Sequence, residues 1–155
     1  MPIPEFVVEI RKMIGHHEMW LPGVTAVVTR GDEILLVRRA DNGAWTPITG
    51  IPEPGEEPGQ AIAREALEET GVVVTVDRLA STSVYSGVVH ANGDRASYLD
   101  LTFACTYVSG EAHVGDDESV DVRWFPVDAL PEMAPAMLQR IEDARSGEQA
   151  ARFVR

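Results

Sequence analysis

Between residues 50 and 59 the chain is crowded with glycine, proline and glutamate, and the segment that follows carries Glu65, Glu68 and Glu69. The stretch 60–70 reads as a helix, with Gly71 as its natural C-terminal stop. Its apolar side is expected to include Ile62, Ala66 and Leu67, with the three glutamates largely on another side. Spacings of three and four residues place all three carboxylates in one neighbourhood, where like charges cost about 0.2–0.5 kcal/mol per exposed pair. A hard divalent cation converts that repulsion into coordination. Mg²⁺ takes oxygen ligands, keeps some of its waters and is commonly shared with substrate phosphates. Glu56 adds a carboxylate from the preceding loop, and Arg64 can pair with one carboxylate and fix its direction. The bland alternative is a solvated acidic helix face.

Around this helix the pattern alternates. Strands are expected over 24–29 and 33–39, joined by the turn Arg30-Gly31-Asp32. A second turn, with Asn42-Gly43 as its strongest signal, leads to an extended segment over 45–49. Further strands are expected over 72–76, from 79 toward 84, and over 98–108 and 120–125. Residues 86–95 read as a hairpin loop and 109–118 as an acidic loop. A C-terminal helix is expected over 134–144, with Met137, Leu138 and Ile141 facing the core. Residues 6–14 suit a helix slightly better than an edge strand, and the tail from 146 to 155 reads as peripheral. Strands interleaved with a central and a terminal helix point to a mixed sheet covered by helices on both sides. The strand order is left open.

The length of 155 residues suits one domain over 1–155. The formal charge of -12, from 25 acidic residues against 13 Lys and Arg, repels nucleic-acid backbones, so no nucleic-acid partner is expected. A small anionic substrate is still admitted, because bound metal reverses the local field. No apolar run approaches a membrane span, and the segment opening Met1-Pro2-Ile3 lacks the basic region and apolar stretch of a leader. The expectation is a cytoplasmic protein with no membrane partner. The single cysteine, Cys105, reads as a reduced core residue in a strand. His16 and His17 are adjacent and would point apart, a poor chelating pair.

The segment 50–72 resembles the Nudix hydrolase signature: Gly, five residues, Glu, seven residues, then Arg-Glu-apolar-any-Glu-Glu-any-Gly-apolar. Gly50, Glu56, Arg64, Glu65, Glu68, Glu69, Gly71 and Val72 all fall in register. Weaker resemblance runs from the strand at Val24 to Trp124-Phe125. The resemblance implies an α/β fold, an α/β/α sandwich with a mixed sheet and the signature on a loop–helix–loop. It implies hydrolysis of a nucleoside diphosphate linked to another moiety, with Mg²⁺ as cofactor and Mn²⁺ able to substitute. Carried over residue by residue, Glu65 and Glu69 would be the principal metal ligands. Glu68 would be a ligand or position the attacking water. The Gly50 carbonyl would contact a metal, and Glu56 would pair with Arg64 or act on the metal through water. Ala66, Thr49 and Ile48 depart from the residues usual at their positions, without removing a carboxylate.

Outside the signature, many Nudix enzymes carry a carboxylate on a loop opposite the catalytic helix. Glu118 looks like that residue, as metal ligand or general base, with Asp116 and Asp117 as rivals. Trp45, Tyr85 and Tyr98 are candidates for stacking on a nucleobase, each with a core or rim aromatic as the plainer reading. One of Arg38 and Arg39 can reach a phosphate, and alternating strand faces argue against both doing so. The expected partner is a small nucleotide or nucleotide conjugate, and a homodimer is a family-level expectation. A MutT-like nucleoside triphosphate pyrophosphohydrolase is the leading subclass. An ADP-ribose or nucleoside-diphosphate-sugar pyrophosphatase is the first alternative, and a non-enzymatic nucleotide sensor the second. The markers of ADP-ribose, NADH and coenzyme A subfamilies are absent: no proline lies between Pro58 and Pro126.

Overall fold

The first long strand is apolar on both faces, and this decides the layering. In the computed structural model, which describes residues 3–155, β1 (Met19–Arg30) buries Val24, Ala26 and Val28 on one side and Val27 on the other. Its neighbour β2 (Glu33–Arg39) does the same with Leu35 and Val37 against Ile34 and Leu36. Successive side chains point to opposite faces, so strands of this kind need a cover on each side. One cover is α2 (Pro58–Thr70), through Ala61, Ile62 and Ala66. The other is α3 (Pro135–Arg145), through Met137 and Ile141.

The remaining elements are β3 (Trp45–Thr46), β4 (Ile48–Gly50), β5 (Val73–Val89), β6 (Arg95–Ser109), β7 (Ser119–Pro126) and α1 (Glu5–Ile14). The seven strands form one mixed sheet with order β3-β2-β1-β6-β5. β1 runs parallel to β6 along its length, from Met19↔Ala96 to Thr29↔Thr106; the other pairings are antiparallel. β1 and β2 pair only at their turn, Thr29↔Ile34 and Arg30↔Glu33. Beyond it they part, β1 taking β4 through Val24↔Gly50 and β2 taking β7. The parting brings Gly50 to the middle of the sheet, beside α2. α1 is a helix, as its spacing suggested, packing Val7 with Met19, Leu21 and Ala96.

Several sequence expectations change. The strands expected over 72–76 and 79–84 are one element, β5, kept continuous by register shifts that absorb the irregular stretch. That strand extends to Val89, so the hairpin loop is shorter than expected. Leu67 and Leu138, expected in the core, are 52% and 41% exposed; each lies off its helix's buried stripe. The tail is tied down rather than peripheral: Arg152 N–H donates to the Ala80 carbonyl at 2.9 Å, and Thr82 N–H to the Arg152 carbonyl at 3.0 Å. Met1 and Pro2, which open the segment read as lacking a leader, lie outside the described residues. Among the described residues no helix is long and apolar enough to cross a membrane.

Candidate metal and catalytic site

Helix α2 starts with Pro58, whose missing N–H costs nothing at a first helical position. It ends at Gly71, which takes the left-handed conformation (φ 71°) and donates its N–H to the Leu67 carbonyl at 2.9 Å. Between these ends, Ile62, Glu65, Ala66 and Glu69 form an i, i+3, i+4, i+7 stripe, and all four are buried. Glu65 and Glu69 therefore lie on the sheet-facing stripe, 0% and 3% exposed. This corrects the expectation that they share a separate side with Glu68. The difference arises because Glu65 and Glu69 fall at i+3 and i+7 from Ile62, on the same stripe as the apolar residues. A buried carboxylate without compensation is expensive, so these two need a paired arginine, a proton or a bound cation.

Arg64 gathers the other signature carboxylates. Its Nε donates to Glu56 Oε1 at 2.8 Å and its Nη2 to Glu56 Oε2 at 2.9 Å, a two-pronged pair. Its Nη1 donates to Glu65 Oε1 and Glu68 Oε2, each at 3.1 Å. Glu56 Oε2 also accepts the Glu53 N–H at 2.9 Å, so loop and helix are stitched together. The Arg64 hydrogen bonds hold the Glu56 carboxyl below its ordinary range. Glu68 is the outer member, its side chain 44% exposed. Gly50 lies under Glu65: a Cβ there would stand 2.5 Å from Glu65 Cδ.

Glu65 Oε2 is buried and has no hydrogen-bond partner. The acidic loop supplies the rest. Carboxylate oxygens of Glu69, Asp116 and Glu118 lie within 4.8 Å of one another. Burial pushes the Glu69 carboxyl up to about 9, reinforced by Glu118, Glu65 and Asp116. Burial also pushes Glu65 up to about 7, against the opposing pull of Arg64. Glu118 is raised for the same first reason. An all-oxygen donor set with an orphaned buried oxygen beside it fits a hard divalent cation.

Asp116, a rival of Glu118 in the sequence, stands with it; Asp117 is outside the trio. Arg39 makes a two-pronged pair with Asp41 at 2.9 and 2.7 Å, and its charge is favoured first by that pair and more weakly by Glu118 and Glu69. Arg38 bonds instead to the Gly43 carbonyl at 3.1 Å. The stacking candidates have partners within the fold. Trp45 meets Phe125 edge-on at 4.9 Å between centroids, Tyr98 is bonded to His90, and the Tyr85 ring faces Arg140 at 5.6 Å. Sequence reasoning missed the glycines that let the acidic loop touch α2. Their signal was the spacing of Gly110 and Gly115 around the loop. Cys105 is buried, its thiol pushed up to about 12.

The fold is an α/β/α sandwich whose central helix carries a buried, Arg-braced carboxylate cluster that could coordinate a divalent metal. The NUDIX domain family matches residues 19–144, and the chain belongs to that family. It is similar to the NAD-capped RNA hydrolase NudC of Pseudomonas aeruginosa, 38% identical over 113 residues, covering 71% of this chain and 37% of that protein. It is similar to a MutT-like protein of Streptomyces ambofaciens, 38% identical over 126 residues, covering 80% and 76%. The chain thus spans about two fifths of the length of the NAD-capped RNA hydrolases it matches. Among solved structures, a NUDIX hydrolase from Nitrosomonas europaea superposes with a TM-score of 0.70 at 29% identity, covering 86% of this chain and 93% of that one.

Proposed function

We propose that this chain hydrolyses a diphosphate linkage in a small nucleotide or nucleotide conjugate, using Mg²⁺, with Mn²⁺ able to substitute. The observation that carries the reading is the pair of buried carboxylates, Glu65 and Glu69, beside Asp116 and Glu118. Glu65, Glu69 and Asp116 would hold the cation, with Gly50 contributing backbone and Glu118 beside them either as a further ligand or as the base. A bound divalent cation neutralises phosphate oxygens and acidifies water. Arg64 fixes Glu56 and turns Glu65 and Glu68 toward their tasks. Glu118 accepts the proton of the attacking water, with Glu68 as the alternative base; geometry comes first for such a role, then pKa. Arg39, paired with Asp41, would be the one of the two strand-end arginines to meet a substrate phosphate.

The leading substrate class is a nucleoside triphosphate cleaved to a monophosphate and pyrophosphate, in keeping with the likeness to a MutT-like protein. The likeness to NAD-capped RNA hydrolases favours a second reading, in which the diphosphate joins two nucleoside-like halves. The test is a panel of nucleoside triphosphates, ADP-ribose, nucleoside-diphosphate sugars and NAD with Mg²⁺ or Mn²⁺, read by product mass. Pyrophosphate release supports the first reading, and cleavage into two monophosphates the second. Metal-dependent binding of panel members with no product from any of them would overturn hydrolysis in favour of a nucleotide sensor.

A further inference from the structure

The acidic loop reaches Glu69 because its backbone is fastened to the last turn of α2. His113 N–H donates to the Thr70 carbonyl at 3.0 Å, and Gly115 N–H to the Glu69 carbonyl at 2.9 Å. Carbonyls at a helix C-terminus have no partner inside the helix, so the loop acts as their cap. The approach leaves no room for a side chain. A Cβ on Gly115 would lie 2.0 Å from the Glu68 carbonyl oxygen and 3.0 Å from the Glu69 carbonyl carbon. The obstructing atoms are helix backbone and cannot swing aside. Gly115 is not among the glycines with positive φ, so close approach alone accounts for it. The far end of the loop repeats the device, since a Cβ on Gly110 would lie 2.2 Å from the Gly71 carbonyl oxygen.

Glu69 thus carries two connections: its carbonyl takes the loop, and its carboxylate stands with Asp116 and Glu118. Asp116 follows Gly115 directly, so the Gly115 bond is the fastening nearest the loop carboxylates on the helix side, beside the His113 bond to Thr70, while the Ala40 N–H holds the Glu118 carbonyl at 2.8 Å from the sheet side. We infer that Gly115 is a positioning residue for cation capture, its bare backbone docking the loop so that the trio is assembled before the cation arrives. This rests on the proposed use of a metal. A side chain at 115 must lift the loop by about 1 Å, enough to spoil a site held to sub-ångström tolerance.

Two measurements test it. In metal-free wild type, the His113 and Gly115 amides should exchange with solvent at least about tenfold more slowly than unstructured chain. Exchange at the open-chain rate overturns the inference, whatever any variant does. Mn²⁺ titration read by electron paramagnetic resonance should then show Gly115→Ala binding about tenfold or more weakly than wild type, with far-ultraviolet dichroism unchanged. Gly31→Ala, at a positive-φ turn remote from the site, should lower Tm and leave Mn²⁺ affinity intact. Equal affinity in Gly115→Ala and wild type overturns the inference while the metal reading stands. A wild type that binds no Mn²⁺ yet protects both amides overturns the metal reading, and with it the role given to Gly115. Should Gly115→Ala not fold, wild-type exchange still decides.

Discussion

The carboxylate of Glu65 lies directly on Gly50: a Cβ at Gly50 would meet Glu65 Cδ and Cγ at 2.5 Å and Oε1 at 2.6 Å. The strand pairing Val24↔Gly50 holds one partner and the helix holds the other, so neither yields easily.

Gly50→Ala should therefore displace the Glu65 carboxylate without unfolding the sheet. Hydrolysis should fall about a hundredfold, the usual cost of a 1 Å misplacement, and Mn²⁺ affinity should fall with it. Wild-type turnover and affinity would show that the carboxylate has room to move.

Arg64→Lys keeps the charge and loses the planar fork that makes two bonds to Glu56 while bridging Glu65 and Glu68. Turnover or metal affinity should drop about 10–100-fold, as for other supports of metal ligands. A variant indistinguishable from wild type in steady-state kinetics would reduce Arg64 to surface charge.

Loop carboxylates should separate by position. Glu118→Gln, as loss of a general base, should cut kcat by about 10²–10⁴-fold. Excess metal rescues it only if Glu118 is a ligand instead. Asp116→Asn should weaken Mn²⁺ binding, and Asp117→Asn, outside the trio, should be nearly silent. A silent Glu118→Gln would pass the base role to Glu68.

Metal-free protein should lose stability as pH rises. In the unfolded chain Glu65 and Glu69 ionise near 4.5, whereas in the fold burial raises them to about 7 and about 9. Below 4.5 both states hold their protons. Between 4.5 and the raised values the unfolded state binds fewer protons, so unfolding is favoured increasingly across that window. Melting in chelator at pH 5 and pH 8.5 should show the fall, Glu69→Gln should reduce it, and saturating Mg²⁺ should remove it. A Tm in chelator that rises between these pH values would contradict the assignment.

Much of this molecule was written locally. Turn residues, strand alternation and the Gly71 stop marked most elements to within a few residues, and the spacing of Gly50, Glu56, Arg64, Glu65, Glu68 and Glu69 marked the signature. The pairing of Glu56 with Arg64 was one of the two roles that the resemblance to the signature implied for Glu56, and the structure shows it. The bounds failed where register shifts hid one strand, β5, behind two apparent ones. The side expected for the glutamates differed as well: Glu65 and Glu69 share a face with Ile62 and Ala66, which a division of the helix into an apolar and a charged side does not find.

The chain's own order thus determined which carboxylates share one helix, since residue types three and four apart meet on any helix. Its local patterns could not determine that Asp116 and Glu118, far along the chain, converge on Glu69; only the resemblance had set Glu118, with Asp116 and Asp117 as rivals, opposite the helix. That convergence depends on the parallel pairing of β1 with β6, on the Thr70 and Glu69 carbonyls left open at a helix end, and on glycines thin enough to let a loop cap them. Each is a contact between segments with no shared local pattern, so only the packed tertiary structure could decide it.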